Sequence, residues 1–166
     1  MTKIKAGIAA AIISGALFAA LPSMAGAQTI ERKMGANPDS PITSSVSVPA
    51  SANLLFLSGS TASPIDPGKP DELGDTKAQT TSILTKMKAQ LEALGYGMGD
   101  VVKMTVFLVG TPETGKMDSA AMNEVFRTFF GTADQPNKPT RSTVQVAALG
   151  RPPVLVEIEA IAAKMP

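Results

Sequence analysis

Two residue types that carry much of hydrolytic chemistry are missing from this 166-residue chain, which has no histidine and no cysteine. Without them there is no Ser-His-Asp triad, no thiolate nucleophile and no histidine-ligated zinc. Carboxylates, cationic side chains, hydroxyls, the single Tyr96 and the backbone remain. Among these, Arg141 opens one β-branched run, and Glu157 and Glu159 lie two apart in another. Side chains of a strand alternate with period 2, so both glutamates share one face. Residues 142–148 and 154–162 read as strands of a long hairpin through Leu149-Gly150-Arg151-Pro152-Pro153. Pairing residues near 147 with those near 155 would set Arg141 and Glu157 diagonally, a few residues apart. A small carboxylate-bearing molecule would fit between the guanidinium fork and the acid. The plainer alternative is that both glutamates face solvent or pair with Lys or Arg.

Two other motifs resemble phosphate sites. Gly110 to Lys116 reads GTPETGK after a strand, but Met117 stands where a magnesium-binding hydroxyl belongs. Pro112 removes a backbone donor there, and Asp118 brings negative charge to the place of the phosphates. Gly95-Tyr96-Gly97-Met98-Gly99 imitates a dinucleotide fingerprint, yet it joins helix to strand, the reverse of the required order. No cofactor and no metal is expected.

The elements that must position these groups follow from periodicity. Residues 44–48 alternate as a strand, and 53–58 form a stronger one ended by Gly59. Residues 60–76, with three prolines and two glycines, form a long loop. Asp75 or Thr76 can cap a helix whose Ile83, Leu84, Met87, Leu91 and Leu94 share a face, with Gly95 at its C-terminal end. Residues 101–109 are a largely buried strand. Asp118 can cap a second helix with Met122, Val125, Phe126, Phe129 and Phe130 as its apolar stripe. The order β-β-α-β-α-β-β predicts a two-layer α+β domain, a sheet with two helices on one face. Its other face needs cover, which predicts self-association.

The N-terminus reads as a secretory signal: Lys3 and Lys5, an apolar run from Ala6 to Leu21, then Ala25-Gly26-Ala27. Cleavage before Gln28 leaves residues 28–166 as one domain, exported and periplasmic, with no membrane attachment. Losing Lys3 and Lys5 and no acid moves the formal charge from +1 to −1. With no basic stripe and 4% aromatic residues, nucleic acid is not an expected partner.

Several segments together resemble the Rid/YjgF family of reactive-intermediate deaminases, older label endoribonuclease L-PSP. They are Leu57-Ser58-Gly59, residues 99–108 (GDVVKMTVFL), Met122-Asn123 with Phe129-Phe130, residues 139–146 (PTRSTVQV) and residues 156–162 (VEIEAIA). The resemblance implies a chorismate-mutase-like fold, a homotrimer and clefts between subunits. It also implies cofactor-independent hydrolysis of 2-imino acids to 2-oxo acids and ammonia. In that frame Arg141 binds the substrate carboxylate, Glu157 activates water, and Ser58 and Thr143 contribute hydroxyl or backbone contacts. Asn123 stands near the cleft. The chain departs from the pattern in having no tyrosine before Tyr96, and in Thr143 where cysteine is frequent. The competing expectation is a non-catalytic protein that binds a small carboxylate in the same clefts; a ribonuclease fits less well with an acidic mature chain lacking histidine.

Overall fold

The computed structural model describes residues 28–166, so the export segment read in residues 1–27 lies outside the described residues. Strands β1 (Glu31–Lys33), β2 (Ser45–Ser47) and β3 (Asn53–Thr61) precede helix α1 (Thr76–Ala93). A 3-10 turn (Met98–Asp100) leads into β4 (Val101–Val109), then come helix α2 (Ser119–Phe129), β5 (Thr140–Val146) and β6 (Val156–Lys164). The main sheet runs β3-β6-β4-β5, with β6 antiparallel to both neighbours and β5 parallel to β4. Strands β1 and β2 form a separate antiparallel pair.

Both helices start where the sequence places an aspartate. Asp75 accepts a bond from the Ala78 N–H at 2.8 Å, and Asp118 from the Ala121 N–H at 2.9 Å, each satisfying one unpaired donor of a first turn. Ile83, Leu84, Met87 and Leu91 of α1 are buried against the sheet. Leu94, expected on the same stripe, is instead the C-cap and is 52% exposed, because the chain leaves the helix through Gly95 at φ 79°. The apolar stripe of α2 packs as predicted, with Phe126 and Phe130 stacked at 4.5 Å between ring centroids. Met104, Val106 and Leu108 of β4 and Val156, Ile158 and Ala160 of β6 complete this core.

The expected hairpin does not form. Strand β5 pairs with β4, and β6 inserts between β3 and β4, so residues 147–155 cross over rather than turn back. Contacts far away in sequence hold that crossing. The buried Gln79 amide donates to the Gly74 and Pro153 carbonyls and accepts from the Leu155 N–H, while Arg151 donates to the Asp71 carboxylate and the Pro70 carbonyl. Strand β1 was not expected from sequence. Its Arg32 donates to the carbonyls of Gly99 at 2.9 Å and Val101 at 3.4 Å, tying the small β-pair to the start of β4.

Candidate functional site

Cross-strand partners share a sheet face, so the register decides where each candidate points. Arg141 is opposite Met104, and Thr143 is opposite Val106; Met104 and Val106 belong to the core under the helices. Arg141 and Thr143 therefore project to the helix side, along the edge strand. Glu157 is opposite Phe107, which in turn is opposite Val144, on the face without helices. Within one chain the two groups also lie on strands separated by β4, roughly 10 Å across the sheet and a similar distance along it. The diagonal approach expected from a hairpin is thus corrected: the parallel placement of β5 moves Arg141 away from β6 and turns it to the opposite face.

Around Arg141 the chain builds a half-buried cationic site. Its Nη2 donates to Asn123 Oδ1 at 2.6 Å, and Nη1 makes a longer contact of 3.5 Å to the Met122 sulfur. The Phe126 ring lies beneath the guanidinium, 4.3 Å from Cζ to the centroid. This geometry attracts a cation to the negative face of the ring but does not neutralise it. The Nε N–H is buried without a partner, and so is the Thr143 hydroxyl on the same strand face. No carboxylate among the described residues bridges Arg141. Burial first, and then the nearby Arg127 cation, lower the Arg141 pKa well below the ordinary arginine value, to about 10, so it remains charged at neutral pH. Arg32 also has an unpartnered Nε, but its Nη2 donates to backbone carbonyls and the Asp100 carboxylate lies near enough to favour its charge. At Arg141 a desolvated cation with free donors lacks its anion, which is the arrangement that a carboxylate ligand completes.

The second cluster lies on the open face. Between Leu57 and Ser60 the β3–β6 register slips, and Ser58 and Gly59 occupy the bulge. A side chain at Gly59 would overlap the Glu157 carboxylate, so the absence of a Cβ leaves the acid its place over the strand. Ser58 lines a hollow of about 260 Å³ with Phe56, Lys103, Thr105, Glu159 and Ile161. Bulges of this kind re-aim side chains near sites. The five expected residues therefore fall into two groups: Arg141, Asn123 and Thr143 on the helix side, Ser58 and Glu157 on the open face.

Residues that the sequence did not single out complete both groups. Phe126 and Met122 looked like core, and they are, yet they also floor the guanidinium. Gly59 shapes the acid's position, and Arg127 adds a second cation. The GTPETGK segment folds on itself instead of cradling phosphate. The Gly115 N–H donates to the Thr111 carbonyl, a side chain at Gly110 would strike the Gly115 backbone, and Asp118 covers the α2 N-terminus. No group of three or more potential metal ligands occurs among the described residues. No helix among them is long and apolar enough to cross a membrane.

Comparison with known proteins relates the chain to a family. Residues 35–164 match the family described as Endoribonuclease L-PSP. A RutC family protein of Pyrococcus horikoshii is 46% identical over 114 residues, 68% of this chain and 80% of that protein. The 2-iminobutanoate/2-iminopropanoate deaminase of Escherichia coli is 37% identical over 112 residues, with the same coverage of 68% and 80%. Among solved structures, the Rid-family protein YyfB of Yersinia pestis superposes with a TM-score of 0.65. That match covers 82% of this chain and 100% of that one at 24% identity, and so speaks for the fold.

Proposed function

The chain belongs to the Rid/YjgF family, also described as endoribonuclease L-PSP, and on that footing we propose that it hydrolyses 2-imino acids. The substrate carboxylate would take the vacant donors of Arg141, whose planar fork binds a carboxylate through two parallel N–H bonds. The guanidinium is itself held by Asn123 and Phe126, so the imine carbon next to that carboxylate arrives in a fixed orientation. Glu157 would take a proton from a water as the water oxygen adds to that carbon. Glu157 returns that proton to nitrogen, giving a carbinolamine; the hydroxyl proton then passes to nitrogen as the C=O bond forms and the C–N bond breaks, leaving a 2-oxo acid and ammonia. The chemistry needs no redox change and no electrophile beyond the imine itself.

Arg141 and Glu157 can meet on one molecule only if they come from different copies of the chain, because within one chain they face opposite sides of the sheet. The open face supports such an assembly: Phe56 is 69% exposed and Val144 43%, beside Phe107 and Ile161. We place this face in the interface of a homotrimer with inter-subunit clefts. The reading also includes export through residues 1–27 to the periplasm, with residues 28–166 as the mature domain.

The observation that carries the proposal is the desolvated Arg141 guanidinium without an anion, next to the unpartnered Thr143 hydroxyl. The test generates imines in situ with an amino-acid oxidase and follows semicarbazone loss or ammonia release. Accelerated decay with the purified protein is expected. Binding of 2-oxo acids through Arg141 with no acceleration would instead identify a non-catalytic carboxylate-binding protein.

A further inference from the structure

Helix α2 has two unlike flanks on either side of its buried stripe. Toward α1 it presents Glu124, which pairs with Lys77 at 2.5 Å. The other flank, toward the β5 edge, carries Asn123 and, one turn later, Arg127. Residues four apart on a helix are neighbours, with about 5–6 Å between their Cβ atoms. Asn123 is bonded to the Arg141 guanidinium, so Arg127 stands beside the same site. Its side chain is exposed and forms no hydrogen bond or ion pair with another described residue. Two cations without an ion pair among the described residues thus stand together where α2 meets the β5 edge, and a single carboxylate would satisfy only one.

We infer that Arg127 is a specificity-determining residue and that the site takes 2-imino acids bearing a second acidic group. Arg141 would hold the carboxylate beside the imine carbon and Arg127 the distal one, as in imines derived from aspartate or glutamate. This rests on the hydrolase reading above. The repulsion that Arg127 exerts on Arg141 agrees with their proximity, and a dianion would relieve it for both. A purely local role is the competing explanation: Arg127 lies in the last turn of α2, where a cation complements the helix dipole. That role would change stability but not substrate choice.

The experiment compares kcat/KM for imines made in situ from aspartate or glutamate with those from alanine or 2-aminobutyrate. The full-length mature protein is assayed as wild type, Arg127→Gln and Arg127→Lys. The wild type should favour the diacidic imines. Arg127→Gln should lower the diacid-to-monoacid ratio about tenfold, the scale of one charge-assisted bond. Arg127→Lys should keep most of the ratio, since a distal carboxylate can be met by a point charge. An unchanged ratio in Arg127→Gln, with monoacidic imines still hydrolysed, overturns the second-anion role and leaves the hydrolase reading standing. If the wild type hydrolyses neither class, the hydrolase reading fails and takes this inference with it.

Discussion

Glu157 and Gly59 meet across the β3–β6 pair so closely that no side chain at Gly59 could coexist with the carboxylate where it lies. Gly59→Ala should therefore displace the acid without touching its chemistry. Imine hydrolysis should fall about ten- to hundredfold, the scale of mispositioning a proton-transfer group. The affinity for a 2-oxo acid should change little. A variant that folds and turns over like the wild type would show that Glu157's position is immaterial.

Arg141 should respond differently to two substitutions. Arg141→Lys keeps the charge but loses the fork, and kcat/KM should drop roughly ten- to hundredfold. Arg141→Met removes a desolvated cation that has no acid partner among the described residues. It should leave the melting temperature unchanged or raise it, because an uncompensated buried charge opposes folding. A strong loss of stability in Arg141→Met would assign the guanidinium a structural role.

Glu157→Gln should abolish most turnover and preserve 2-oxo acid binding. Because each cleft is proposed to combine Arg141 of one copy with Glu157 of another, two inactive variants should complement. Arg141→Lys and Glu157→Gln, co-refolded into mixed trimers, should regain part of the wild-type rate. Mixtures that stay as inactive as the parents, while exchanging subunits, would refute a shared site.

The pH dependence follows from the lowered pKa of Arg141. Above about pH 10, and below the ordinary arginine range, the unfolded chain keeps a proton that the folded protein has released, so this group adds stability as pH rises through that window. A bound carboxylate acts oppositely, since it needs the charged form. The increase in melting temperature caused by a saturating 2-oxo acid should hold at neutral pH and vanish above about pH 10. A shift that persists at high pH would place the ligand elsewhere.

Phe56→Lys should prevent assembly. Phe56 lies on the face without helices, and a charge there must be desolvated if that face is buried. Light scattering should show three chains per particle for the wild type and one for the variant, with activity lost alongside.

Local signals in the sequence were sufficient for the helices: an aspartate before an apolar period of 3.6 marks each N-terminus, and glycine follows α1 at positive φ. Arg141 and Glu157 were legible as unusual charges in apolar strands. Their relationship was not. Two alternating strands joined by a short proline-bearing segment look like a hairpin, and the groups that prevent it, Gln79 and Asp71, lie more than seventy residues away. Strand β1 has only three residues and no apolar alternation, so its pairing depends on β2 and on Arg32 rather than on local preference. Phe126 sits in a helical stripe that looks like ordinary core, and nothing local reveals the cation above it.

The order of strands in the main sheet also bears on how the domain is made. Strand β6 separates β3 from β4, and Leu57 meets Ala160 only after about a hundred intervening residues. Until β6 arrives, β3 has no hydrogen-bonded partner in that sheet, and one side of β4 is open. Such distant pairing carries a large loop-closure entropy before any contact repays it, which is the pattern of slow folding. A chain held without β6 would remain unable to close its sheet. Completion of the sheet and placement of Glu157 are then one event, so this carboxylate reaches its position only when the whole domain has formed.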